Sequence, residues 1–142
     1  MGIRNRCRKF LLQCRYASMS NGRSLDENLS DLGLSDRFSP EHARWISELA
    51  RLSCEHSGEI DEAISEVLEN WRLDRLSMVT RLILEQSVAE AWFVGTPVPV
   101  VIDEAVELAR DFDREDSEGF VNGVLDELLS SYKPPPSSGK RG

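Results

Sequence analysis

Asp103, Glu107 and Asp111 recur every four residues, the spacing that stacks three carboxylates on one side of a helix. Such a ladder could bind a cation or share a proton. It lies opposite the apolar stripe of Val101, Ile102, Ala105, Val106, Leu108, Ala109 and Phe112, however, where an ordinary solvated face is expected. His42 and His56 match no metal-ligand spacing, and no cysteine stands where it would complete a zinc site. Cys7 and Cys14, seven apart on the apolar side of a helix, read as small core residues. The chain has no nucleophile elbow, phosphate-cradling loop or dinucleotide fingerprint. An enzyme is not expected, nor is any metal or cofactor implied.

Charge points elsewhere. The net charge is −8, which argues against indiscriminate nucleic-acid binding. Its distribution is lopsided: Arg4, Arg6, Arg8, Lys9, Arg15 and Arg23 give the first 23 residues +6 with no acid, and the rest carries −14. A basic arm on an acidic body suits a directed polyanion site, or else a basic first helix resting on its own acidic body.

The stretch "EDSEGFVNGVLDEL" (115–128) raises a second question. Phe120, Val121, Val124, Leu125 and Leu128 fall within an arc of about 140°, a core-facing stripe. Asn122 and Gly123 point away from it, although an interior Gly costs a helix about 1 kcal/mol against Ala. An Asn-Gly hairpin turn would need flanks of period two, and these have none. Either a second helix packs close on that side, or an external partner approaches the backbone there.

The elements that must position these residues are all helical by pattern. A first helix spans 3–19, with Ile3, Cys7, Phe10, Leu11 and Cys14 apolar, Arg4, Arg8 and Arg15 beside them, and Arg6, Lys9 and Gln13 further round. A short helical segment follows near 25–34. Ser39-Pro40-Glu41 then starts a third helix running to about 56, with Trp45, Ile46, Leu49 and Leu52 inward. Residues 57–71 make a fourth, 72–93 a long central fifth, 99–112 a sixth, and the stretch from 115 a seventh. No strand-period segment or internal repeat appears. The expectation is all-α: one compact domain of about seven helices over 1–132, with a disordered tail, "KPPPSSGKRG", over 133–142.

No run approaches the roughly 18 apolar residues of a membrane span. Gln13 and Arg15 interrupt any signal-peptide core, and Arg6 spoils a myristoylation motif at Gly2. Three cysteines without a paired motif fit reduced thiols, so a cytoplasmic protein is expected.

The segment "VPVVIDEAVELARDFDREDSEGFVNGVLDEL" (98–128) resembles the C-terminal signature of the NusB family of bacterial transcription antitermination factors. That pattern is an "InEAvelAk.f" helix, an acidic "eds" turn and "FvNgvLd". More loosely, "NWRLDRL" (70–76) resembles the family's Trp-x-Leu-x-Arg-Leu segment, and Glu90 falls at the glutamate of its "yEl". "RNRCRKFLLQCRYA" (4–17) is similar to its Arg-rich first helix, with Gln13 and Tyr16 in register. The likeness covers residues 3–132 and is specific in the last third.

The resemblance implies a helical, non-catalytic factor that binds a single-stranded boxA element in nascent ribosomal-RNA leaders. Its partner there is the ribosomal protein NusE, and the complex joins elongating RNA polymerase; some members form homodimers that hide the RNA surface. On this sequence it implies RNA contacts at Arg4, Arg6, Arg8, Lys9 and Gln13, and at Phe120, Asn122 and Gly123; helical projection puts Arg15 beside Arg8, where it would extend the basic stripe. It implies NusE contacts at Tyr16, Thr80, Glu115 and Asp116. Cations for phosphates and flat groups for splayed bases are what single-strand recognition needs.

The chain departs from the family at several places, and Asn5 interrupts the run of arginines. Thr80 replaces a common acid, Glu85 a common arginine, and Arg15 a common apolar residue. The changes at Thr80 and Glu85 and the acidic body support an alternative, a protein-interaction module or masked homodimer that kept the fold without specific RNA binding. The same domain also occurs fused to ribosomal-RNA cytosine methyltransferases, but an RNA-modifying enzyme is not expected, because these 142 residues leave no room for the cofactor-binding domain it would need.

Overall fold

Apolar residues at three- and four-residue spacing fold into helices along almost the whole described chain. The computed structural model describes residues 2–71 and 76–131. Part of the Trp-x-Leu-x-Arg-Leu segment (72–75) and the expected tail (133–142) lie outside them. The helices are α1 (Ile3–Asn21), α2 (Leu25–Asp31), α3 (Leu34–Arg37), α4 (Pro40–Glu55), α5 (Ser57–Trp71), α6 (Met78–Ala89), α7 (Val98–Phe112) and α8 (Ser117–Ser131). A π-helical turn, Glu90–Val94, continues α6. Among the described residues there is no strand, so the class is all-α. No described helix is long and apolar enough to cross a membrane.

The chain forms two compact units, Met1–Arg51 and Leu52–Gly142. In the first, α1 packs on α2 and α2 on α3. Its buried apolar side chains include Cys7, Phe10, Leu11, Cys14, Leu29, Phe38, Ile46 and Leu49. Ser24 starts α2 with a reciprocal capping box: its hydroxyl accepts from the Glu27 amide, and the Glu27 carboxylate accepts from the Ser24 amide. That backbone hydrogen bond, with nearby Arg23, holds the Glu27 carboxyl below its ordinary pKa. Buried Asn28 ties α2 to α1. Its amide donates to Ser18 Oγ at 2.9 Å, its side-chain oxygen accepts from Asn21 at 2.9 Å, and its carbonyl accepts from the Cys14 thiol.

The pattern over 25–34 breaks into two helices at Gly33. Its φ of 97° lies in the left-handed region that glycine adopts without strain, so one periodic stretch becomes α2, a turn and α3. The long fifth helix expected from 72 likewise starts later among the described residues, at Met78 after an N-cap at Ser77.

In the second unit, α6 packs against α5, α7 and α8, and α7 lies along α8. Leu82, Ile83, Leu84, Val88 and Ala89 are all buried, which is why this helix is apolar on more than one side. It then widens: the Gly95 amide donates to the Glu90 carbonyl at 3.0 Å, and Gly95 ends the turn.

The thiols give a chemical check on this packing. Burial pushes the Cys14 thiol up to about 11, and it raises Cys7 too despite the neighbouring arginines. Cys54 is exposed. Iodoacetamide near pH 8 should therefore label Cys54 within minutes and leave Cys7 and Cys14 unmodified until denaturant is added. Mass spectrometry showing two or three rapid adducts would contradict the burial.

Candidate nucleic-acid interface

Local electrostatics alone would not choose the start of α1. Its first turn contains no acid, and Arg4, Arg6 and Arg8 crowd the positive end of the helix dipole. The fold holds these cations in two different ways. Arg4 and Arg8 lie over the Trp45 ring, with guanidinium carbons 4.5 and 5.5 Å from its centroid. Arg8 is only 6% exposed, and Arg4 Nη1 is buried without a hydrogen-bond partner. Trp45, expected to point inward with Ile46, Leu49 and Leu52, is only half-buried, and its ring supports these cations.

The other face points outward. Arg6, Lys9, Gln13 and Tyr16 follow i, i+3, i+7, i+10 spacing and so share one side of α1 over about 15 Å. Arg6 and Gln13 are exposed, Lys9 is half-buried, and Tyr16 is 47% exposed. Arg6 also sits 5.7 Å from the Phe38 ring, which itself meets Phe10 edge-to-face at 5.1 Å. Arg15 is half-buried and, by helical projection, falls on the Arg4–Arg8 side.

In the second unit Asn122 is exposed on α8, whereas Val121, Val124, Leu125 and Leu128 are buried. Gly123 has an internal reason to be glycine. A Cβ there would lie 2.7 Å from Cη2 and 2.9 Å from Cζ2 of Trp71, the last residue of α5. The close neighbour on this side is thus an indole, and it occupies the space against the Gly123 backbone. Phe120 is half-buried and meets that indole edge-to-face at 5.3 Å.

Thr80 faces inward, 6% exposed. Its hydroxyl donates to the Asp113 carboxylate at the end of α7, and it lies 2.8 Å from the Ser77 hydroxyl. Thr80 therefore joins α6 to α7, and its side chain presents almost no surface to a partner. Thr80→Val should leave Asp113 short of a donor and lower stability by about 1–2 kcal/mol in urea unfolding. Thr80→Ser should not, and equal losses in both variants would remove the hydrogen bond from the account. Glu115 and Asp116 are exposed in the turn before α8.

Among the described residues no cluster of three or more His, Cys, Asp or Glu could hold a metal ion. Sequence reasoning placed the cations and Asn122 but missed what Trp45 and Trp71 do. Helical pattern set Trp45 inward and the Trp-x-Leu-x-Arg-Leu resemblance included Trp71, but neither signal showed the cations on Trp45 or the packing of Trp71 against Gly123.

These features define an all-α protein whose first helix carries a line of cations. Residues 3–130 match the NusB family model. The transcription antitermination protein NusB of Solibacter usitatus is 38% identical over 95% of this chain and 94% of its own length. That of Anaeromyxobacter dehalogenans is 39% identical over 97% of both. Among solved structures, T. maritima NusB superposes with a TM-score of 0.83 at 31% identity, covering 92% of this chain and 93% of that one. The antitermination factor NusB, solved with NusE and double-stranded RNA, gives 0.80 at 26% identity, over 91% and 97%. The chain belongs to the NusB family.

Proposed function

We propose that this chain is a transcription antitermination factor that binds boxA-type single-stranded RNA together with NusE and so supports ribosomal-RNA transcription by RNA polymerase. It works by binding, without a catalytic step, in the cytoplasm where nascent RNA is made. The observation that carries this reading is the outward line Arg6–Lys9–Gln13–Tyr16 on α1 of a NusB-family chain. Cations held there against the helix dipole are well suited to phosphates.

A single strand is the better substrate on physical grounds. The deep, narrow major groove of an RNA duplex excludes side chains, whereas a single strand offers both phosphates and splayed bases. In this reading Arg6, Lys9 and Arg15 meet phosphates, and Gln13 and Asn122 meet base edges. Arg4 and Arg8, held on Trp45, add positive field. Tyr16, Glu115 and Asp116 face NusE, and Thr80 acts indirectly by fixing the start of α6.

The relatives' names support antitermination, and a solved neighbour is a NusB in complex with NusE and double-stranded RNA. The test is transcription in vitro through a terminator placed downstream of a boxA element, with NusE and the other elongation factors present. Read-through should rise when the chain is added and fall back when boxA is scrambled. Equal read-through on both templates would refute the function.

A further inference from the structure

We propose that Trp71 is a stacking platform for a nucleobase of the bound strand, and that Gly123 is there to seat it; this role rests on the RNA reading above. Trp71 is 39% exposed, yet it is held from several directions. Its benzo edge lies against Gly123, where any Cβ would collide. Phe120 meets it edge-to-face, with rings 5.3 Å apart and inclined at 83°. Its Nε1–H donates to Glu127 Oε1 at 3.1 Å, and the other Glu127 oxygen accepts from Asn70 Nδ2 at 2.8 Å. Phe120, Gly123 and Glu127 follow i, i+3, i+7 spacing, so one side of α8 forms the cradle.

The arrangement sacrifices stability twice. α8 forgoes the helix propensity that alanine would bring at position 123, and a large apolar ring stays partly in water. Simple core packing would avoid both costs by burying the ring. A flat group fixed in advance and left accessible is what base stacking needs, since every base has a π-face and no ordering is left for the moment of binding. Chemistry at the rim selects which part of the strand arrives. The Glu127 carboxylate at the indole edge repels phosphate oxygens but can accept from base N–H groups. A base turned out from the backbone fits, whereas the backbone itself does not. Exposed Asn122, next to Gly123 in α8, adds a donor and an acceptor.

The test uses the full chain labelled with 5-fluorotryptophan, whose three 19F resonances come from Trp45, Trp71 and Trp92. The Trp71 line is assigned with Trp71→Phe. Adding a boxA RNA oligonucleotide in the presence of NusE should shift that line. Trp71→Leu, which keeps apolar bulk on Gly123, should weaken RNA binding by roughly 5- to 100-fold. The dependence of affinity on salt should stay as in the parent, because no ion pair is lost. Gly123→Ala, which pushes the ring off its seat, should weaken binding in the same direction.

If RNA saturates the protein without moving the Trp71 line, or binds Trp71→Leu at full affinity, the platform is wrong and the RNA function stands. A line that moves with NusE alone and no further with RNA assigns the patch to the protein partner and overturns the stacking role. Should the parent chain bind no RNA under any condition, the functional reading falls first and takes Trp71 with it.

Discussion

Replacing Arg6 and Lys9 together by glutamate should cut affinity for a boxA strand well over tenfold while the circular dichroism spectrum stays helical. Both residues stand on the outward line of α1, so the change reverses two charges without opening the core. Each phosphate contact on a single strand contributes about 0.7 to the slope of log affinity against log salt, so losing two should flatten that slope by about 1.4. The new acid at position 6 would also sit near the helix N-terminus, which favours an intact fold. Arg8→Glu is a poor substitute for this test. It would place a carboxylate in a 6%-exposed site against the Trp45 ring, and the resulting loss of stability would be mistaken for loss of RNA contact. Unchanged affinity in the Arg6→Glu/Lys9→Glu protein, measured by fluorescence anisotropy, would remove this face from the RNA site.

Leu125→Ala should lower stability by about 3 kcal/mol, a drop in Tm of roughly 10 °C, because truncating a fully buried Leu leaves a cavity that the helices close only in part. Its neighbour three residues back should behave oppositely. Asn122 is exposed, and alanine is the better helix former, so Asn122→Ala should leave stability equal or slightly higher. It should nevertheless bind RNA several-fold more weakly. The two substitutions separate the jobs of the two sides of α8: thermal unfolding reads the first and RNA titration the second. A destabilised Asn122→Ala protein would mean that the polar side is structural.

Much of this architecture can be read from local pattern. The apolar stripe of α8, the inward Ile60, Ile64, Val67 and Leu68 of α5, and the Ser-Pro-Glu start of α4 all follow from helical period and capping. The outward position of Arg6 and Gln13 follows from the same projection of α1. What escaped is tertiary. Thr80 and Asp113 are 33 residues apart, and nothing local shows that one accepts from the other. Gly123 left two readings open from sequence, because the group that fills its space, Trp71, ends a different helix. Gly33 could have announced the break between α2 and α3 by residue type, but the apolar period ran across it. The widening at Glu90–Val94 has no signature in period at all, since a π turn inserts its extra residue without changing which residues are apolar.

The most direct measurement is the ratio of affinities for a boxA single strand and a scrambled strand of equal length and composition, taken with NusE at near-physiological salt. If the line on α1 supplies phosphate contacts and Asn122 and its surroundings read bases, boxA should bind at least tenfold more tightly, and both affinities should weaken steeply as salt rises. Equal affinities at every salt concentration would contradict the account, because the chain would then be holding RNA by charge alone.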